Sequence, residues 1–331
     1  MACPPLPDAL MLPNSFNLTV AICTYNGESR LPFVLDALRG QTGVEGLRWE
    51  VIVIDNNSQD ATPAIVQRYQ QNWPHQVPLI YVQETRQGLA FARDRAIQAA
   101  RGQWVGFLDD DNCPDPGWVA AAVAFGRDRP QLGAFGSRVL GDFEVPPPPN
   151  FERIQPFLAI IDRGEDPLPY LPDRKVLPPG AGLVVRREAW QAHVPETLVL
   201  AGRVGGSMLA GEDLEALLHL QRAQWQIWYN PAMVVHHRIP RSRLEADYLK
   251  KLFFGIGLSR YRTRMLSFPA WQRPGALVLY ALNDGRKILR HLLRHRRQVQ
   301  TDVVAACEMQ LYWASLISPL FFWFRRPPSL S

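Results

Sequence analysis

Short apolar runs that end in oxygen-bearing side chains alternate with segments of helical period through the first third of the chain. Asn17 to Cys23 reads as a buried strand followed by a helix over Arg30 to Arg39. Glu50 to Ile54 is a second strand with a helix from Ala61 to Gln71 behind it, and Leu79 to Gln83 is a third. Ala90 to Arg101 has the pattern of a helix with Gly102 as its C-cap, feeding into the apolar strand Trp104 to Leu108. The alternation predicts βαβ units, hence an α/β fold on a mostly parallel sheet. Further on, Gly180 to Arg187 resumes a strand, Leu214 to Arg222 a helix and Ile227 to His237 an extended segment. Pro146 to Pro149 interrupt regular structure, and the stretch from there to Pro179 predicts a long loop over a site.

After residue 240 the period becomes helical, with helices predicted over Leu244 to Tyr261, Ala276 to His295 and Thr301 to Phe324. In the middle one, Ile288, Leu289, Leu292 and Leu293 share a face, and Arg286, Lys287, Arg290, Arg294, Arg296 and Arg297 occupy the rest. That is the pattern of a helix lying on an anionic membrane. The last segment is apolar from Gln310 to Phe324 but holds Pro319, and at about 15 residues it falls short of the roughly 20 that span a bilayer. The competing expectation is a helical pair packed back on the body. Three regions follow: a tail over 1–16, an α/β domain over 17–237 and a basic helical region over 238–331, with peripheral membrane contact expected through 276–326.

Charge sharpens this division. Residues 1–237 hold 19 Lys/Arg against 26 Asp/Glu, whereas 238–331 hold 17 against 5. An acidic body with a basic tail points to an anionic surface for the tail. Nucleic acid is disfavoured, because the arginines alternate with Leu and Ile rather than with stacking aromatics. The 47% apolar content is that of a well-packed globular chain. Cys3, Cys23, Cys113 and Cys307 lack paired or metal-type spacing, which predicts a reduced, cytoplasmic setting. The first 16 residues lack a basic stretch ahead of an apolar one and do not read as a secretory signal.

The candidate chemistry centres on Asp109-Asp110-Asp111, three carboxylates delivered to the carboxyl end of an apolar strand. Such a cluster demands a cation, and hard oxygen ligands suit Mg²⁺ or Mn²⁺ held jointly with phosphates. An Asp-rich turn closed by Asn112, Pro114 and Gly117 is the competing reading. Other segments join it: Thr24-Tyr25-Asn26 after the first strand, Asp55 with Ser58, Asp60 and Thr62 after the second, Gly88, Ala92 and Arg93 around the following helix, and Glu212-Asp213 after Ala210-Gly211.

In that order, over residues 17–237, these segments resemble the TYN, D-x-x-S-x-D-x-T, G-x-x-x-A-R, DxD-type and E-D motifs of family 2 glycosyltransferases of the GT-A fold. The resemblance implies a Rossmann-like, mostly parallel mixed sheet flanked by helices, with a C-terminal helical extension. It also implies an inverting transferase using a nucleoside-diphosphate sugar, UDP-linked, and a saccharide or lipid-linked acceptor, of the type that builds bacterial polysaccharide. By the same resemblance Asp55 recognises the base, Thr24, Tyr25 and Asn26 lie beneath the nucleotide, and Arg93 grips the diphosphate. Asp111 coordinates the metal, Asp109 serves the ribose or the metal shell, and Asp110 stands behind them, Asp109 and Asp110 also counting among the nucleotide-sugar contacts. His236 or His237 completes the metal site, and because adjacent strand residues face opposite ways, one of the two serves. Asp213 takes the role of general base, with Glu212, Gly180 and Gly182 toward the acceptor. Two alternatives stay open: a sugar nucleotidyltransferase, although Thr24 to Arg30 lacks a glycine- and lysine-rich phosphate loop, and a non-catalytic nucleotide-sugar or glycan-binding module.

Overall fold

The computed structural model describes residues 16–174, 176–202, 208–296 and 301–324. The expected N-terminal tail, up to residue 15, and Arg297 lie outside the described residues. The elements run β1 (Phe16–Thr24), α1 (Leu31–Arg39), β2 (Trp49–Asp55), α2 (Thr62–Gln71), β3 (Leu79–Gln83), α3 (Leu89–Ala99), β4 (Gly102–Asp109), β5 (Asn112–Pro114), α4 (Trp118–Arg127) and β6 (Leu132–Phe143). They continue with β7 (Leu168–Pro169), β8 (Leu183–Arg186), α5 (Arg187–His193), α6 (Glu212–Arg222), β9 (Gln226–Ile239), α7 (Ala246–Leu266), α8 (Arg273–His295) and α9 (Val303–Phe324).

One mixed sheet carries the order β3-β2-β1-β4-β8-β6-β9-β5, with β7 against β9. Strands β3, β2, β1 and β4 are parallel, β8 runs antiparallel to β4 and β6, and β6 and β9 are parallel to each other. Parallel strands covered on both faces need apolar side chains on both, which is why they read as continuous runs. Leu18, Val20, Ile22, Val51 and Val53 pack on one side against α1, α2 and α4, while Ala21, Ile52, Ile54 and Phe107 pack on the other against α3, α5 and α6. Register then decides where the site lies. Thr24 pairs with Asp55 and Cys23 with Asp109, so the polar ends of β1, β2 and β4 share one rim, at the point where the strand order reverses about β1.

Several expectations need correction. Gly102 opens β4 rather than capping α3, which ends at Ala99 with Ala100 extended. A Cβ at 102 would stand 2.5 Å from the Thr19 amide, so only glycine admits β4 beside β1 here. The stretch after Asp111, read from the sequence only as a turn, contains β5, α4 and the 12-residue β6. Gly133 and Gly136 in β6 sit beneath the Trp225 side chain and the Pro178 ring, where a Cβ would come within 2.5 and 2.4 Å, and those glycines dilute the apolar signal of a buried strand. The excursion over 146–179 does overlie the site, and it contains three short 3₁₀ turns and β7. Arg153 within it pairs with Glu308 of α9, tying the excursion to the C-terminal helices.

Pro319 lies inside α9 instead of interrupting it. The helix is held by α7, because Ser318 Oγ donates to the Leu258 carbonyl and accepts from the Tyr261 amide at 3.0 Å. At 22 residues α9 is long and apolar enough to cross a membrane by length and composition, yet Val304, Cys307, Leu311 and Ala314 are buried, largely against α7 and the excursion. The closest approach is at Gly257, where a Cβ would meet Ala314 Cβ at 2.6 Å and the Leu311 carbonyl at 2.7 Å.

In α8 the usual arrangement is inverted: Asp284 and His291 are buried, whereas Val278, Leu279, Leu282, Leu289 and Leu293 are 58–69% exposed. The two helices therefore respond oppositely to the same substitution. Gly257→Ala is expected to destabilise the protein by about 1–3 kcal/mol through overpacking. Gly285→Ala, on open helix surface with nothing within 4 Å, is expected to stabilise it by about 0.5–1 kcal/mol through backbone entropy. Urea denaturation of the two variants measures both signs.

Candidate functional site

A cavity of about 830 Å³ opens at the carboxyl rim of β1 and β4, between the excursion and α6 to α8. Its base end is shaped by two interlocked loops. The Asn26 amide donates to Ser58 Oγ (2.9 Å), the Gly27 amide to Thr62 Oγ1 (2.9 Å) and the Glu28 amide to Asp60 Oδ2 (3.0 Å), while Asn26 Oδ1 accepts from the Gln59 amide (2.8 Å). Ser58, Asp60 and Thr62 thus hold the loop after β1, and Asn26 answers them. Thr24 and Tyr25 line the cavity; Asn26 does not. Asp55 is 1% exposed and also lies behind the wall, accepting from the Tyr81 hydroxyl at 2.7 Å and the Ser58 amide at 2.9 Å. The residue that reaches the cavity from this loop is Asn56, fixed by donation to the Arg86 carbonyl (2.7 Å) and acceptance from the Gly88 amide (2.7 Å).

Each carboxylate of the acidic triplet meets an arginine from a different part of the chain. Asp110 is held bidentately by Arg30 (2.7 and 2.9 Å) and accepts from Thr24 Oγ1 at 2.6 Å. Asp111 lies 2.7 Å from Arg243 and 3.7 Å from His237 Nε2. Asp109 lies 3.6 Å from Arg93. These environments push the carboxyls apart. Burial opposes ionisation of Asp111, but the His237 imidazole and the Arg243 guanidinium together hold it well below the usual carboxylate range. Burial pushes Asp109 upward against the pull of Arg93, and Asp111 and Asp110 add to the rise. About a third of the Asp109 side chain (35%) remains accessible, and it lines the cavity. Beside it Cys23 is a buried thiol pushed up to about 12 by burial.

Of the two histidines, the structure brings one to the cluster. His237 Nδ1 donates to the Leu158 carbonyl at 2.9 Å, an atom that can only accept, which fixes the ring with Nε2 toward Asp111 and Arg243. A ring fixed through its far nitrogen is the usual posture of a metal-ligating imidazole. Together with Asp109 and Asp111 it would offer the oxygen-rich donors that suit Mg²⁺ or Mn²⁺, at a place where Arg243 now lies 2.7 Å from Asp111 and 3.3 Å from His237 Nε2. His236 faces the other side of β9, where its Nε2 meets Asp115 at 3.0 Å, outside the cavity.

Opposite the triplet, Asp213 sits in the first turn of α6. Its Oδ2 accepts from the Gly180 amide at 2.9 Å and its Oδ1 pairs with Arg93. Arg93, 2% exposed, also lies 3.6 Å from Glu212 and over the Phe107 ring at 5.5 Å. It is thus the centre of a buried ion cluster and not a surface salt bridge. Gly180 is glycine for space, since a Cβ there would stand 2.2 Å from Arg93 and 2.4 Å from Asp213. Glu212 lines the cavity beside Asp213. Gly182 does not; at φ +68° it packs under Ser137, whose hydroxyl donates to its carbonyl at 2.6 Å. Arg30, Asn56 and Arg243 went unrecognised in the sequence, because nothing local to them marks a partner 80 or more residues away for Arg30, or 132 away for Arg243.

The description "Glycosyl transferase family 2" matches residues 19–182. The chain is 25% identical over 261 residues to the succinoglycan biosynthesis protein ExoM of Rhizobium meliloti, covering 76% of each chain. It is similar to the mannosyltransferase PcManGT from Pyrobaculum calidifontis in complex with GDP-Man and Mn²⁺, with a TM-score of 0.57 at 19% identity over 94% of this chain and 88% of that one. It is also similar to S. aureus TarS 1–349 in complex with UDP-GlcNAc, with a TM-score of 0.52 at 14% identity over 92% of each. At such identities the structural likenesses speak for the fold. Together with the motifs gathered on one rim, they make this chain a member of glycosyl transferase family 2 with the GT-A fold.

Proposed function

We propose that the protein is an inverting, divalent-metal-dependent glycosyltransferase that moves a sugar from a nucleoside diphosphate, UDP being the expected carrier, to a hydroxyl of a saccharide or lipid-linked acceptor in polysaccharide or envelope glycan assembly. The observation that carries this reading is that Asp213 and the Asp109–Asp111 cluster face one cavity and are joined through the buried Arg93. A base and a charge-neutralising pole on either side of a substrate-sized space is what a single in-line displacement requires.

In this reading the nucleotide lies against Thr24, Tyr25 and Asn56, with Asp55 and Asn26 holding the loops behind them. Asp213 accepts the proton of the acceptor hydroxyl as its oxygen bonds to the anomeric carbon. The bond from that carbon to the diphosphate oxygen breaks on the opposite face, so the configuration inverts. Held by Asp109, Asp111 and His237, a Mg²⁺ or Mn²⁺ ion would supply Lewis-acid neutralisation of the departing diphosphate. Arg93 and the Gly180 amide aim Asp213, and Glu212 shapes the acceptor side. Mn²⁺ in the complex of PcManGT and the name of ExoM support the metal and the polysaccharide context.

The same proposal places the protein against an anionic phospholipid surface. The exposed leucines of α8 run beside Arg286, Arg290 and Arg294, and Trp271 (79%), Trp323 (81%) and Phe324 (83%) stand exposed as well. Apolar side chains flanked by arginines match the interface of an acidic bilayer.

Three outcomes are expected. Asp213→Asn should lower transfer by about 10²–10⁴-fold while UDP affinity, read by calorimetry, changes little; retained turnover would remove Asp213 from the base role. His237→Ala should weaken Mn²⁺ binding, read by electron paramagnetic resonance, by at least about tenfold, with His236→Ala close to wild type. Leu282→Glu with Leu289→Glu should lower co-sedimentation with phosphatidylglycerol vesicles by at least about tenfold, and wild-type binding by that double variant would refute the membrane face.

A further inference from the structure

The cavity extends past the groups used in the displacement. Its far wall is built by the C-terminal helices, with Arg260, Thr263 and Arg264 from α7 and Tyr280 and Lys287 from α8. This wall adjoins the base: the Thr263 methyl comes within 3.9 Å of where a Cβ on Gly211 would lie, two residues before Asp213.

Positive charge there exceeds its counter-charge. Asp284, 1% exposed, is held by both oxygens on Arg264, at 2.5 and 2.9 Å. Arg260 has a long hydrogen bond of 3.5 Å to Ser315 Oγ, and among the described residues neither Arg260 nor Lys287 forms an ion pair. Burial, with Arg264 adding to it, pushes Arg260 down to about 10, and burial together with Arg260 pushes Lys287 down as well. Three cations around one carboxylate, at the wall of a cavity, are poised for an anion.

The helix α8 gives the same indication independently. Tyr280, Asp284, Lys287 and His291, spaced four, three and four residues apart, form one stripe, and Asp284 and His291 on it are buried. Val278, Leu282, Leu289 and Leu293 lie on the opposite side, roughly 180° away at 100° per residue. A helix that buries a polar stripe and exposes an apolar one reverses the rule for soluble proteins. Asp284 and His291 on the inner stripe are met by Arg264 and the Ala305 carbonyl, and Tyr280 and Lys287 are the members that line the cavity.

We propose that the wall formed by Arg260, Lys287 and Tyr280 is an anion subsite that binds a phosphate group carried by the acceptor, holding the acceptor hydroxyl toward Asp213. This rests on the glycosyltransferase reading and adds to it a phosphorylated acceptor. The phosphate belongs to a lipid-linked saccharide or to a soluble sugar phosphate; the subsite chemistry is the same for both. It is separate from the donor diphosphate, which the Asp109, Asp111 and His237 end of the cavity serves.

The test uses the full chain with saturating UDP and Mn²⁺, titrated by calorimetry with inorganic phosphate, with farnesyl phosphate in nonionic detergent, and with farnesol in the same detergent. A phosphate probe should bind alongside UDP, and Arg260→Gln with Lys287→Gln should weaken it at least about tenfold while leaving UDP affinity within about twofold. Arg260→Lys with Lys287→Arg, which keeps both charges, should restore most of the binding. Tighter binding of farnesyl phosphate than of phosphate supports the subsite with a lipid-linked acceptor, and equal binding supports it with a soluble one. Binding of farnesol as tightly as farnesyl phosphate, displacement of the probe by UDP, or wild-type affinity in the Gln variant overturns the subsite while leaving glycosyl transfer standing. Failure of UDP itself to bind counts against the glycosyltransferase reading, and the probe titration repeated without UDP then decides the subsite separately.

Discussion

The buried guanidinium of Arg93 joins what would otherwise be two separate halves of the site. It reaches Asp109 at the end of β4 and Glu212 and Asp213 at the start of α6, and it rests on Phe107. An arginine 2% exposed has lost nearly all of its water, and breaking a buried pair of this kind typically costs about 3–5 kcal/mol. The carboxylates around Arg93 are equally dependent on it. Asp213 and the acidic cluster are therefore fixed relative to each other by a mutual electrostatic requirement, and glycine at 180 is the steric condition for it, because any Cβ would occupy the space that Arg93 and Asp213 share.

The acidic triplet obeys the same constraint. Three adjacent carboxylates are tolerated because Arg93, Arg30 and Arg243 approach from α3, from the N-terminal end of α1 and from the segment leading into α7. Asp110 is wholly engaged with Arg30 and Thr24 and serves as a strut. Asp111 differs in that Arg243 lies 2.7 Å from its Oδ2 and 3.3 Å from His237 Nε2, so one guanidinium meets both side chains. Arg243 belongs to the basic region after residue 237, so that region contributes charge directly to the site, and a division drawn at 237/238 passes through it.

What the sequence discloses depends on how local the cause is. The carboxyl ends of β1, β2 and β4 were legible because parallel strands in register expose their terminal residues on a common rim, and an apolar run ending in Asp or Thr reveals both strand and end at once. The roles of Ser58, Asp60 and Thr62 were not: they act on backbone amides about 32 to 35 residues away, and no side-chain pattern records that. Asp55 was singled out at the end of β2, where the structure turns its carboxylate to Tyr81 and Ser58 and puts its neighbour Asn56 on the cavity wall. One residue along a strand end reverses the direction of the side chain, and the sequence does not say where the strand stops. The β6 glycines and the buried α4 escaped for the opposite reason, since close packing there replaced the apolar periodicity that a strand or surface helix usually shows.

The helix α8 is where pattern and structure diverge most instructively. Its leucines and arginines predicted an amphipathic surface helix, and the exposed face is apolar as such a helix requires. The sequence pattern alone could not indicate that Asp284, Lys287 and Tyr280 would turn inward, because polar residues on a helix are ordinarily its solvated side. Arg264 of α7 makes the inversion affordable by neutralising Asp284, and α7 in turn is set by close packing of Gly257 on α9. A single helix thereby carries both an apolar exterior and part of the charged wall of the cavity.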